Sequence, residues 1–520
     1  MLFNSIEFIF LFLPLSLILF FTIARKWGNE GAIIALVLAS LFFYAWWNPV
    51  YLILLVASML FNYHIGRQLG INRDKTLLIL GVAVNLSVIA YYKYAGFIVF
   101  NLNIALGESW DLGNIILPLA ISFFTFQQIA YLVDSYRGIT KEYSFTHYAL
   151  FVSFFPQLIA GPIVHHKDML PQFSTKKSYR LNISHLKVGL SIFAIGLFKK
   201  TVLADGVAIY ATPIFNAADS GMTLDFFSAW GGALAYTFQL YFDFSGYSDM
   251  AIGLARMFGI VLPLNFYSPY KAANISEFWR RWHMTLSQFL RDYVYISLGG
   301  NRNGKIKRYI NLSLTMLLGG LWHGAGWNFI IWGGLHGAYL VINHSWQASI
   351  QSSKAVFFHS KSYGFMAWLV TFVAVVIGWV FFRATTLDGA INMLNAMVGS
   401  NGFSIPNAIL TRLDSVGIFL IGLGITPSNG GATFVFTWLW NIVLFIVVLT
   451  LPNIQDIFHP VNGTLNNMNS ETKNSFWPGY STFSKITWSG SYRWAAISGI
   501  SLALGILTLS QVSEFLYFQF

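Results

Sequence analysis

The sequence predicts an all-α polytopic membrane protein of about 11–13 helical segments. Three observations carry that reading. Apolar types make up 56% of the 520 residues and charged types only 10%, against about 25% charged in soluble domains. A soluble body of this size would lack the charge to cover its surface. Apolar runs of about 20 residues, the length that crosses a bilayer, recur from end to end. The formal charge of +11 would suggest nucleic acid in a soluble protein. Here it fits cytoplasmic loops that retain Lys and Arg, and no nucleic-acid partner is expected. The absence of cysteine removes disulfides, thiolate metal sites and a cysteine nucleophile together.

In chain order, clear spans are Phe8–Ala24, Gly31–Trp47, Val50–Gly66, Thr76–Phe100, Ile115–Val133, Phe226–Tyr241, Gly364–Phe382, Thr433–Leu451 and Trp494–Val512. Less regular ones lie at His147–Val164, Leu186–Ala204 and through Tyr309–His344, which is long enough for more than one pass. No internal repeat or low-complexity linker divides the chain, so residues 1–520 read as one transmembrane domain. Mixed stretches occur at Ser345–Tyr363, Thr385–Gly431 and Asp456–Tyr492, and the last two are long enough to hold interfacial helices.

Phe8–Ala24 does not read as a cleavable signal, because no basic region precedes it and Arg25-Lys26 follow directly. The positive-inside rule puts the N-terminus outside and Arg25-Lys26 in the cytoplasm. Arg67, Arg73 and Lys75, and later Arg137 and Lys141, also fall inside. Asn101–Asn114, with two acids and no Lys or Arg, falls outside. The alternation then fails. His147–Val164 should cross outward, yet Lys167, Lys176, Lys177 and Arg180 follow it. Phe155-Pro156 and Ala160-Gly161-Pro162 break helices, so this segment is expected to be re-entrant. Irregular backbone at that depth must be buried in protein or line a cavity. Lys199-Lys200, near the outer end of their span, count against this topology, and Gly206–Asp225 is expected to be an outer loop.

From Lys271 to Arg308, 38 residues carry eight of the 31 basic side chains, with only Glu277 and Asp292 opposing them. Glu277–Tyr293 reads as a helix too polar to span freely and too aromatic to be loose. It is either an interfacial helix snorkelling its arginines to lipid headgroups, or the wall of a funnel that attracts an anionic donor. Arg280, Arg281, Arg291 and Arg302 are the donor-binding candidates. The following Gly299-Gly-Asn-Arg-Asn-Gly304-Lys305-Ile306 nearly spells a phosphate-binding loop. It lacks the final Ser or Thr and a leading strand, and a turn between helices is the better account.

Tyr309–Ser353 contains no Lys, Arg, Asp or Glu, and His323 lies 14 residues into it. On a helix starting near Tyr309 that is about 21 Å in, deep within a core about 30 Å thick. Gly319, Gly320, Gly324 and Gly326 let another backbone or a ligand approach closely. An ionisable residue at such depth is functional by default. His283, in the arginine–tryptophan stretch, is the next candidate. His336 reads as a helix-packing residue. Asp243 and Asp249 are expected to form structural ion pairs, with arginines of the basic helix, or to line the cavity. No histidine spacing supports a metal site, and none is expected.

Four runs, Phe155-Pro-Gln-Leu-Ile-Ala-Gly-Pro162, Tyr241-Phe-Asp-Phe-Ser-Gly-Tyr-Ser-Asp249, Glu277-Phe-Trp-Arg-Arg-Trp-His283 and Leu318-Gly-Gly-Leu-Trp-His323-Gly, resemble the membrane-bound O-acyltransferase family. The similarity is greatest to its branch serving bacterial alginate O-acetylation, covers most of the chain and is weakest after Thr385. The resemblance implies helices ringed around a central tunnel, with a catalytic core at about residues 147–344. It implies that His323 is the catalytic histidine and that His283 occupies the second polar position, where some branches carry Asn. It implies a bacterial inner-membrane enzyme, in contact with lipid, that holds no bound cofactor and uses acetyl-CoA as donor. The acetyl group would pass to a periplasmic SGNH-type acetyltransferase, working with polysaccharide export machinery to esterify an exopolysaccharide, alginate first among them. A neutral imidazole suits such chemistry, being poised to accept a proton from a hydroxyl. A transporter or flippase of an activated sugar or lipid would share the broken helices and deep polar residues. A lipid-modifying member of the same family is the third reading.

Overall fold

The computed structural model describes residues 1–139, 144–350, 356–461, 463–464 and 486–509. The chain is an all-α polytopic membrane protein. Phe8–Ala45, Val50–Asn72, Lys75–Leu106, Lys361–Arg383 and Gly431–Thr450 are long and apolar enough to cross a bilayer. The first of these holds two expected spans, because Gly28 at φ 75° and ψ −170° breaks it just after Arg25-Lys26. In the mixed stretch after Thr385 lie the short helices Leu387–Met397, Asn407–Arg412 and Ser415–Gly422. A parallel strand pair, Ser404–Pro406 with Thr426–Ser428, accompanies them. Lys141, part of Ser345–Tyr363, most of Asp456–Tyr492 and the end of the last expected span lie outside the described residues.

Two expected boundaries move for local reasons. Ile115–Val133 becomes helical only at Ile121 and then runs to Arg137. Pro118 has no N–H and disfavours helix at Leu117. The carbonyls of Ile116 and Leu119 are taken instead by the Tyr51 and Tyr44 hydroxyls, at 2.8 and 3.0 Å. His147–Val164 is a nine-residue helix, Phe145–Ser153, followed by a single turn at Phe155–Leu158 and buried irregular backbone. Nine residues reach about 14 Å, half of a bilayer core. The Phe155 N–H donates to Ser40 Oγ at 3.1 Å, and the Ile163 N–H to Thr285 Oγ1 at 3.0 Å. Groups freed by the helix breaks thus find partners within the protein.

The central helices depart furthest from expectation. Ile183–Phe198 continues through a π-helical turn, Lys199–Ala204, into Asp205–Asp219. Gly206–Asp225 is therefore helix as far as Asp219, and Lys199-Lys200 sit in the middle of a continuous rod. Phe226 begins a helix that runs on to Met257. The two rods touch backbone to backbone. A Cβ added at Gly253 would lie 2.6 Å from the Gly189 carbonyl, and one at Gly196 2.7 Å from that of Gly246. At this separation Lys199 meets Asp249 at 2.7 Å, and Lys200 meets Asp205 at 2.6 Å and Asp243 at 2.9 Å. Asp243 and Asp249 pair with lysines of the neighbouring rod rather than with the expected arginines. The second rod outruns its apolar sequence because its polar half faces protein instead of water.

Candidate active site

The charge-free run after Arg308 forms an antiparallel hairpin of Gly304–His323 and Trp327–Ile350. His323 ends the first helix, about 22 Å beyond Arg308, and Gly324 leaves it in extended conformation. Two of the glycines serve the hairpin. A Cβ at Gly320 would meet the Phe329 carbonyl and lie 3.1 Å from Gly333 Cα. One at Gly324 would enter the Phe329 ring. Of the two roles open to these glycines, close backbone and ring packing is the one the fold uses.

His283 owes its place to a break that helical periodicity conceals. The stretch expected as one helix is Ile275–Arg281, then Met284–Phe289, then a π-helical Leu290–Tyr295. At the break His283 adopts φ 42° and ψ 52°, a left-handed conformation costing about 1 kcal/mol or more for an L-residue. Two backbone bonds hold it there, Met284 N–H to the Asn265 carbonyl and Tyr267 N–H to the Arg281 carbonyl, both 2.9 Å. The ring Nδ1 lies 3.2 Å from Asn265 Oδ1, which also accepts from Thr285 Oγ1 at 2.9 Å. An amide oxygen only accepts, so Nδ1 carries the proton and Nε2 presents a lone pair. That Nε2 has no hydrogen-bond partner among the described residues.

The His283 and His323 ring centroids are 6.4 Å apart. Phe244 stands 4.8 Å from His283, and Trp322, Trp332 and Phe382 stand 4.9, 5.1 and 5.1 Å from His323. Both histidines are buried, His283 completely and His323 with 8% exposure. His336 joins the same aromatic layer, accepting from the Trp279 indole at 3.3 Å and lying 4.7 Å from Trp332. Sequence reasoning missed Asn265 and Trp332, whose nearness to the histidines depends on chain segments far apart. Among the described residues no cluster of His, Asp and Glu could hold a metal ion.

Two cavities adjoin residues that contact this layer. One of about 490 Å³ is lined by Arg280, Arg291, Arg308 and His344, with Thr285 and Trp279 on the same wall. Thr285 shares Asn265 with His283. Of the four candidate arginines, Arg280 and Arg291 line this cavity. Arg281 does not; it is buried, paired with Glu277 at 2.7 Å and stacked over Tyr267. Arg302 is exposed on the turn between helices. Arg308, bonded to His344 at 3.0 Å, was missed although it closes the same basic stretch. The other cavity, about 610 Å³, is lined by Trp46, Trp47 and residues 116–122. It lies on the side that the positive-inside rule puts outside. Ser122 is followed by Phe123, whose ring is 5.5 Å from Trp322. Trp279 of the basic cavity thus bonds to His336 of the layer, and Ser122 of the second, mainly aliphatic cavity adjoins Phe123, which packs on Trp322.

Residues 132–385 match the membrane-bound O-acyltransferase family. The chain is 48% identical over 435 residues to the peptidoglycan O-acetyltransferase of Helicobacter pylori, covering 78% of this chain and 81% of that protein. It is 45% identical over 407 residues to the protein named "Probable alginate O-acetylase AlgI" of Pseudomonas aeruginosa, covering 76% and 75%. It is 31% identical over 237 residues to the teichoic acid D-alanyltransferase of Bacillus subtilis, covering 43% and 58%.

Proposed function

The chain belongs to the membrane-bound O-acyltransferase family, and from that premise we propose that it moves acetyl groups across a bacterial inner membrane. The donor is a cytoplasmic acetyl thioester, acetyl-CoA. The acetyl group goes to a periplasmic SGNH-type acetyltransferase that, with export machinery, esterifies an exopolysaccharide, alginate. One observation supports this reading: a pair of histidine rings 6.4 Å apart, in an aromatic layer linked through Thr285 and Trp279 to a cavity lined by arginines. A transporter has no use for a buried base held in one tautomer, and the relatives named above transfer acyl groups.

The chemistry follows from the residues. Arg280 and Arg308 supply charge for a coenzyme's phosphates, Arg291 being already paired with Asp292 at 2.8 Å, and Leu312, Met316 and Leu340 of the same cavity supply an apolar wall for its arm. Neutral His323 takes the proton of an acceptor hydroxyl as that oxygen bonds to the thioester carbonyl carbon. The carbon–sulfur bond then breaks, and the leaving thiolate takes the proton back from the imidazolium. His283, through its Nε2 lone pair, stabilises the positive charge that forms transiently on His323.

A second acceptor, peptidoglycan, is favoured by the 48% identity to the Helicobacter pylori enzyme. Mass spectrometry of membranes supplied with labelled acetyl-CoA decides the matter. Label is expected on a partner serine and then on exported glycan, dependent on His323. Label on muramic acid alone would replace alginate with peptidoglycan as the product. Efficient glycan acetylation by the purified chain without any partner would refute the relay.

A further inference from the structure

Lys93 is a cation in the middle of the Lys75–Leu106 span, in a π-helical turn that covers Ala90–Tyr94. A lysine at such a place is costly and is matched by an opposite charge or by backbone carbonyls. Lys93 forms no ion pair with any described residue; its ammonium group instead donates to the Trp322 carbonyl at 2.6 Å and the His323 carbonyl at 2.9 Å. The neighbouring Tyr94 hydroxyl donates to the Leu321 carbonyl at 2.7 Å. These are the last three carbonyls of the Gly304–His323 helix, which have no partner within it. A cation there also faces the negative end of the helix dipole.

The π-helical turn explains how two adjacent side chains reach one target. An extra residue per turn re-aims the chain locally, and such turns are frequent at functional sites. The same rod secures the other side of the loop after His323. Asn101 Oδ1 accepts from the Trp327 indole at 2.9 Å, and Phe97 packs against Trp327 at 5.9 Å. The backbone bearing His323 is therefore pinned from Lys93 to Asn101 by a helix that contributes nothing to the basic cavity.

We propose that Lys93 is a positioning residue for His323, setting the imidazole by capping the helix that it terminates. This rests on the reading of His323 as the reacting base. Inside-out membrane vesicles carrying the whole acetylation system, fed radiolabelled acetyl-CoA, give an initial rate against donor concentration. Lys93→Met should lower kcat about 10- to 100-fold, the penalty of a slightly misplaced reacting group, with KM for acetyl-CoA within about twofold. Lys93→Arg, which restores the cation, should recover most of that loss. Tyr94→Phe should lower kcat about two- to fivefold at constant KM, by the same reasoning on one lost bond. A Lys93→Met protein with normal kcat, a loss confined to KM, or an arginine variant no better than methionine would overturn the proposal. If Lys93→Met fails to accumulate, the other two variants decide: unchanged kcat in Tyr94→Phe, or a dead but well-folded Lys93→Arg, overturns it. His323→Ala runs in parallel. Activity in that variant would sink the reading of the site, whereas a dead His323→Ala beside a normal Lys93→Met would sink only the role of Lys93.

Discussion

Two of the polar clusters inside this apolar protein are built on opposite principles. Between the central rods, Lys200 is fully buried and pairs with Asp205 and Asp243, while Lys199 pairs with Asp249. Every charge there is in an ion pair, with Lys200 shared between two carboxylates, and the backbones press together through glycine. In the histidine layer, among the described residues, there is no carboxylate and one ring nitrogen of His283 has no partner, and His283 holds a left-handed backbone. Phe244 is the hinge between them, next to Asp243 in sequence and 4.8 Å from the His283 ring. Satisfied polar groups hold a fold together, whereas under-satisfied ones are costly unless a substrate completes them. The first cluster thus has the character of a structural network, and the second that of the proposed reaction site.

The comparison breaks or holds on substitutions in each cluster. The largest effect should come from His323→Ala, with acetyl transfer lowered at least about a thousandfold as expected for loss of a general base. The melting temperature should shift by only a few degrees, since aromatic contacts alone are lost; near-normal polymer acetylation would erase the distinction between the clusters. Lys200→Met should do the reverse. It strands two buried carboxylates, at a cost of about 3–5 kcal/mol, read as lost yield and a lowered melting temperature. Activity per folded molecule should survive. Adding Asp205→Asn and Asp243→Asn should restore much of the stability, because an apolar or neutral replacement of a whole buried network is tolerated. A lysine variant of full stability would show that the cluster is not structural.

His283→Ala should cost less activity than His323→Ala, about 10- to 100-fold, because it acts on the charge of another group. Full activity would restrict the site to one histidine. The smallest effect belongs to the basic cavity. Arg280→Gln with Arg308→Gln should raise KM for acetyl-CoA roughly three- to tenfold at constant kcat, the pattern of lost uniform binding. Arg302→Gln should change nothing. Equal effects from Arg302 and Arg280 would mean that long-range charge, not the cavity wall, draws the donor.

The legibility of each element depended on how local its cause is. His323 could be found because a charge-free run fixes depth by counting residues, at about 1.5 Å each. The breaks in the 147–164 segment could be found because Pro156 and Pro162 act on their own backbone. Boundaries failed where burial overrides hydropathy. The span expected to end at Tyr241 runs to Met257, since Asp243 and Asp249 face another helix and Ser245 is buried. Arg281 looked equivalent to Arg280 in the sequence, yet one closes on Glu277 and the other faces the cavity. Lys93 drew no notice within an apolar span, because nothing local says that a helix terminus lies against it.

Composition and periodicity alone determined that this is a helical membrane protein, that its charge is concentrated before one deep histidine, and that no cysteine takes part. Those properties follow from transfer free energies and chain geometry, which act residue by residue. Only the tertiary structure decided which polar groups meet. Lysines rather than arginines answer Asp243 and Asp249 because glycines let two rods touch. His283 reaches His323 because Asn265 and Tyr267, from another segment, hold its backbone in a left-handed turn. Lys93 reaches the end of the His323 helix from 230 residues away. Hydrogen bonds and ion pairs are short-ranged and directional, so their partners are set by the approach of distant segments rather than by neighbours in the chain.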